Sequence, residues 1–129
     1  MESLRVLVVE DNAMIGILLA EMLEEMGHEV CAIESTEAGA VAAAIRCHPQ
    51  LMIVDVGLGG GSGVTAVDEI FRTGAVPHVF ISGDISRIKV LRPSAIALQK
   101  PFREPELVRA IQRALGAEAS PSISLRTRC

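Results

Sequence analysis

Four apolar runs along this chain each end on a residue that can do chemistry. Residues 4–9 run into Glu10 and Asp11, and residues 51–54 into Asp55. Residues 78–81 run into Ser82, and residues 95–98, after Gln99, into Lys100. If these runs are parallel strands, three carboxylates, a hydroxyl and an amine meet on the edge where open α/β sheets hold ligands. Grouped carboxylates repel one another unless a cation intervenes. The acidic set therefore implies Mg2+ or a similar hard ion, which favours few carboxylates, several waters and a phosphate oxygen. Asp55 is the candidate nucleophile, because carboxylates can form aspartyl phosphates and the loop after it leaves its outer face open. Lys100 would neutralise phosphoryl charge, and the Ser82 hydroxyl would donate to a phosphoryl oxygen. Gly83 leaves room for the incoming group.

Singly, each residue has a plainer reading. An Asp after a strand is usually a turn or helix-cap residue. Glu10 and Asp11 could charge a first helical turn, and Ser82-Gly83 is a common turn pair. Their order at successive strand ends is what favours a shared site.

The elements that must position them alternate. Residues 4–9 form a continuous apolar run, as a strand buried on both faces requires. Ile15, Leu19, Met22, Leu23 and Met26 then recur at helical spacing, with Gly27 as the stop. Residues 29–33 read as a strand and 36–47 as an Ala-rich helix capped by Thr36 or Ser35 and broken by Pro49. Residues 51–54 are a third strand. Residues 57–63 hold five glycines and read as a loop. A helix over 64–72, a strand over 76–81, a short weak helix over 85–91 and a strand over 95–98 follow. The last helix spans 105–115: Pro105 suits its first turn, Leu107, Val108, Ile111 and Leu115 make its stripe, and Gly116 stops it. Alternating βα units at this spacing predict a doubly wound, five-stranded parallel sheet with helices on both faces and right-handed crossovers. Residues 1–116 read as one domain, and residues 117–129, without period, as a flexible tail.

Composition narrows the class. The chain has 129 residues, half of them apolar, with three Phe and no Trp or Tyr. Its core must be aliphatic. The net charge is −4 without a basic stripe, which argues against nucleic-acid binding. No run approaches the ~20 apolar residues of a membrane span, and no signal peptide is visible. Cys31, Cys47 and Cys129 lack a framework spacing and read as reduced thiols of a cytoplasmic protein. A metal site from Cys31, Cys47 and His48 has no second ligand pair to support it.

The combined pattern resembles the receiver domain of two-component response regulators over about residues 4–116. The matching pieces are Val8-Val9-Glu10-Asp11-Asn12, Met52-Ile53-Val54-Asp55-Val56, Gly63 eight residues after Asp55, Phe80-Ile81-Ser82-Gly83 and Lys100-Pro101-Phe102. The resemblance implies a flavodoxin-like fold and a phosphoryl group passed to Asp55 from a histidine kinase or histidine phosphotransfer protein. It implies Mg2+ held by Glu10, Asp11, Asp55 and the Gly57 carbonyl, with Ser82 and Lys100 on the phosphoryl oxygens. It also implies a cis Lys100–Pro101 peptide that aims the lysine inward. Such a domain is no enzyme in the ordinary sense, though it supports its own phosphorylation and dephosphorylation. Met14, Ile17 and Leu18 lie off the core stripe of the first helix, next to the acidic site, where a donor helix could dock.

The chain also departs from that family. Receivers usually carry an aromatic three residues before the lysine, and here it is Ala97; the proline often found four after the acceptor is Gly59. Residues 77–83 are similar to a stand-alone subset with a Phe-Ala-Thr-Gly-type motif. The expected function is therefore a stand-alone phosphoacceptor receiver that signals by protein contact. The alternatives are a binding module that works without phosphorylation and a receiver fragment of a hybrid histidine kinase. Residues 57–63 as a nucleotide cradle are disfavoured, because Ser62 stands where GxGxxG needs Gly and no GK[ST] follows.

Overall fold

Strands form where β-branched and aliphatic residues run together, and the central ones, over residues 6–9 and 51–55, are buried on both faces, whereas the edge strands are only half-buried. The structure, a computed structural model, describes residues 2–127, with side chains for residues 2–116. Strands β1 (Arg5–Val9), β2 (Glu29–Glu34), β3 (Leu51–Asp55), β6 (His78–Ser82) and β7 (Ala97–Gln99) make one sheet in the order β2-β1-β3-β6-β7. All four pairings are parallel. Two two-residue strands, β4 (Gly57–Leu58) and β5 (Gly61–Ser62), form a separate antiparallel hairpin. The glycine-rich stretch is therefore a small hairpin as well as a loop. Its glycines permit the tight reversal, and Gly60 takes a φ of 76°.

Five helices cover the sheet: α1 (Ala13–Glu25), α2 (Glu37–Cys47), α3 (Gly63–Phe71), α4 (Ser86–Leu91) and α5 (Glu104–Thr127). Alternation along the strands splits the core in two. Leu7, Val9, Met52, Val54 and Phe80 pack with residues of α2, α3 and α4. Val6, Val8, Leu51, Ile53, Val79 and Ile81 pack with residues of α1 and α5. That is the doubly wound parallel fold expected from the βα alternation.

Local chemistry explains most helix limits. The Asn12 carboxamide accepts from the Ile15 amide at 3.1 Å and Thr36 Oγ1 from the Gly39 amide at 3.0 Å. Both are side-chain N-caps. Gly27, at φ 96°, closes α1 as predicted. Helix α4 has six residues and no side-chain cap at Ile85, which accounts for its weak sequence signal.

Some limits differ. The strands β6 and β7 begin two residues later and end one residue later than expected from 76–81 and 95–98, because pairing places Ser82 beside Gln99. Helix α5 passes through Gly116. Gly in a helix costs about 1 kcal/mol relative to Ala but stops the helix only when it turns left-handed, and Gly116 does not. Residues 117–127 thus continue the helix; their side chains, and all of residues 128–129, lie outside the described residues. The buried stripe of α5 is Leu107, Ala110, Ile111 and Ala114, with Val108 only half-buried. Small Ala side chains let this helix sit close to the sheet, a role that hydropathy alone conceals.

Buried His28, in the turn between α1 and β2, holds the segment that enters β1: its Nδ1 accepts from the Leu4 amide at 3.1 Å. An acceptor nitrogen must be unprotonated, and burial holds the imidazole below its ordinary value of 6.5. The neutral form is therefore favoured in the folded chain, and its stability contribution is present above pH 6.5 and lost as pH falls through the lower folded value. His28→Asn keeps an acceptor near the same position and cannot titrate in this range. Urea midpoints measured at pH 7.5, 6.5 and 5.5 should fall more steeply for the wild type than for His28→Asn, by about 1 kcal/mol for the lost hydrogen bond. Parallel curves would refute this role.

Candidate functional site

The order β2-β1-β3 reverses the chain direction of travel between β1 and β3, and open α/β sheets place ligand sites at such a switch point. Glu10 and Asp11 follow β1, and Asp55 ends β3, so all three arrive at that crevice. One oxygen from each lies within 4.8 Å of the others. Lys100 enters from the end of β7 and closes the group: its Nζ lies 3.0 Å from Asp55 Oδ2 and 3.2 Å from Glu10 Oε1. The Lys100–Pro101 peptide is cis.

Backbone donors hold the carboxylates. The Asn12 amide donates to Glu10 Oε2 at 3.1 Å, and the Gly57 amide to Asp55 Oδ1 at 3.2 Å. Glu10 is 2% exposed and Asp55 6%, whereas Asp11 is open to solvent. Burial, reinforced by Asp55 beside it, pushes the Glu10 carboxyl above its usual range despite the Asn12 amide and Lys100. Burial alone would lower the Lys100 ammonium, but its hydrogen bonds and charge contacts with Asp55 and Glu10 outweigh this and raise it. The result is an anionic pocket with one cation on its inner side and an accessible carboxylate on its outer side. Such a donor set suits a hard divalent ion, with Asp11 leaving room for coordinated water.

Ser82 is at the same sheet edge, and its carbonyl accepts from the Lys100 amide at 2.8 Å. Its hydroxyl is turned toward its own loop. Ser82 Oγ donates to the Asp84 carbonyl and accepts from the Asp84 amide, both at 3.1 Å. The Gly57 peptide belongs to the hairpin directly after Asp55. That hairpin is anchored from α2, where Glu37 Oε2 accepts from the Ser62 amide at 2.5 Å. Glu37 carries no sequence signal for this task, since its reach to Ser62 depends on how α2 packs.

Met14, Ile17 and Leu18 are exposed on α1. Leu18 also lines an apolar groove of about 430 Å3 with Ile15, Met22, Pro101 and Phe102, beside Lys100. Cys31 and Cys47 are free thiols, and burial first, then the neighbouring Cys47, raises the Cys31 thiol to about 11. Among the described residues, Glu10, Asp11 and Asp55 are the grouped metal-type ligands, and no helix is long and apolar enough to cross a membrane. Cys129 lies outside the described residues.

A parallel five-stranded sheet with this acidic switch-point site defines a signalling receiver. The sequence profile of the response regulator receiver domain matches residues 6–112, and the chain belongs to that family. It is 32% identical over 114 residues to the phyllosphere-induced regulator PhyR of Methylorubrum extorquens, covering 85% of this chain and 43% of that protein. It is 36% identical over 115 residues to the transcriptional regulatory protein PdtaR of Mycobacterium tuberculosis, covering 86% of this chain and 56% of that one. The crystal structure of the response regulator PhyR from Brucella abortus superposes with a TM-score of 0.83 at 27% identity, covering 99% of this chain and 54% of that one. The chain thus spans about half the length of these relatives.

Proposed function

We propose that this receiver accepts a phosphoryl group on Asp55, with Mg2+ held by Glu10, Asp11, Asp55 and the Gly57 carbonyl. The observation that carries the reading is the junction of Lys100 with both Asp55 and Glu10, while Asp11 faces solvent. Phosphoryl transfer is catalysed mainly by positioning and charge neutralisation. Lys100 on one side and the bound cation on the other would offset charge on the transferring oxygens. An Asp55 oxygen forms the new P–O bond while the P–N bond to a phosphohistidine or small phosphoramidate donor breaks. The departing nitrogen takes its proton from solvent.

The donor would be a histidine kinase or a histidine phosphotransfer protein. Its helix would dock against Met14, Ile17 and Leu18, which lie exposed on α1 beside the groove that ends at Lys100. The modified domain would then signal through protein contact in the cytoplasm.

Intact mass after incubation with a small phosphoramidate tests the acceptor role. One phosphoryl group should be gained with Mg2+ present and none after chelation. A second reading, contact without phosphorylation, is favoured by Ala97, which offers no large side chain to report the state of the site. No mass gain together with no Mg2+ binding would support that reading instead.

A further inference from the structure

The loop after Ser82 is held from the neighbouring strand by one side chain. Gln99 pairs with Ser82 across β6 and β7. Its carboxamide Nε2 donates to the Gly83 carbonyl, and its Oε1 accepts from the Ile85 amide at 3.2 Å. Both contacts fall on backbone, one on each side of Asp84. Asp84 in turn holds the Ser82 hydroxyl through its own amide and carbonyl. Ile85 is the residue from which α4 begins. The path from Ser82 to α4 is therefore three residues long, and Gln99 grips its first and last.

We propose that Gln99 is the positioning residue through which occupancy of Asp55 reaches α4. The proposal rests on the phosphoacceptor reading above. A phosphoryl oxygen on Asp55 is a charged acceptor and competes well against the neutral Asp84 carbonyl for the Ser82 hydroxyl. When Ser82 Oγ turns to it, the Asp84 amide and carbonyl both lose their partner, and the segment must rearrange. Gly83 and Ile85 can follow only by releasing the Gln99 carboxamide. The structure holds the clamped arrangement, and the released one would be its alternative; a two-state element of this kind is what carries coupling between a site and a distant surface. The surface that responds is α4, where Val90 and Leu91 stand exposed at 79% and 68%. Ala97, one strand position from Leu98 on the same edge, supplies no bulky group for the task, whereas Gln99 spans the loop directly.

Backbone amide NMR on the full chain tests this, using Mg2+ with beryllium fluoride as the phosphoryl mimic. Wild type, Gln99→Ala and Gln99→Glu are compared at residues 55–57 and 83–91. Gln99→Glu keeps an acceptor for Ile85 and loses the donor to Gly83. Before the mimic is added, Gln99→Ala amides in α4 should already lie along the line from free to loaded wild type, with Gln99→Glu between. On loading, the variant should lose most of the remaining α4 shift while residues 55–57 respond fully. If α4 amides of Gln99→Ala coincide with those of the free wild type and shift as far on loading, the coupling role is wrong, whatever happens to the melting temperature. If residues 55–57 of the wild type do not respond at all, the phosphoacceptor reading falls and the coupling falls with it.

Discussion

Asp55→Asn is expected to reduce phosphoryl gain to the level of a sample without donor. The carboxamide has nearly the volume of the carboxylate, so the packing of β3 against β1 and β6 survives. Its oxygen is a far weaker nucleophile, and its nitrogen gives no acyl phosphate. The substitution also removes one of the three grouped carboxylates of Glu10, Asp11 and Asp55. Glu10, held above its usual range first by burial and then by Asp55, loses the second of these pressures. Its carboxyl should therefore move downward. A raised carboxylate is a cost to the folded state that grows as pH rises through the folded value. The variant should consequently be at least as stable as wild type near neutral pH without Mg2+. Mass spectrometry and urea denaturation on the same sample read both effects. Phosphoryl gain that persisted in Asp55→Asn would move the acceptor to another residue.

Gly63→Ala should produce the largest loss of stability of any single methyl group added to this chain's glycines. A Cβ at Gly63 would meet the Asp55 carbonyl oxygen, with the Asp55 carbon at 2.9 Å and Val54 Cγ1 at 2.7 Å. The obstacle is backbone, which cannot turn aside as a side chain can. Gly63 is also fixed by its own amide, which donates to the Val56 carbonyl at 2.8 Å. The start of α3 must therefore retreat from the end of β3, opening the core at Val54 and pulling on Asp55 itself. Overpacking of this kind costs on the order of 3 kcal/mol, a large part of the 5–15 kcal/mol available to a typical domain. Gly57→Ala is the control: a Cβ there meets nothing within 4 Å. Its midpoint should stay within about 0.5 kcal/mol of wild type. If both variants unfolded alike in urea, the close approach at Gly63 would not be the cause.

Much of the site was legible because strands stop where apolar runs stop. Val9 to Glu10 and Val54 to Asp55 are abrupt changes of character, and in a parallel sheet every such change faces the same way. Lys100 was legible on the same ground, although its strand proved shorter and later than the run of residues 95–98. The hydroxyl of Ser82 was legible in place but not in direction, because its turn toward Asp84 depends on the loop geometry. Glu37 and Gln99 were not legible at all. Both are polar residues whose partners lie 25 and 14 to 16 positions away, on backbone atoms that have no sequence signature. Helix α5 runs past Gly116 because a glycine's conformation, not its identity, decides whether a helix ends.

The sequence by itself determined the alternation of elements, the burial of the first strand on both faces, and the identity of the charged residues at the strand ends. It could do so because hydropathy period and strand polarity are local properties. Tertiary structure alone decided that Lys100 bridges Asp55 and Glu10, that Gly63 must lack a side chain, and that Gln99 spans the loop into α4. Each of these depends on a distance between segments remote along the chain. Such distances are set by how β1, β3, β6 and β7 register and how the helices seat on them, which no local pattern encodes.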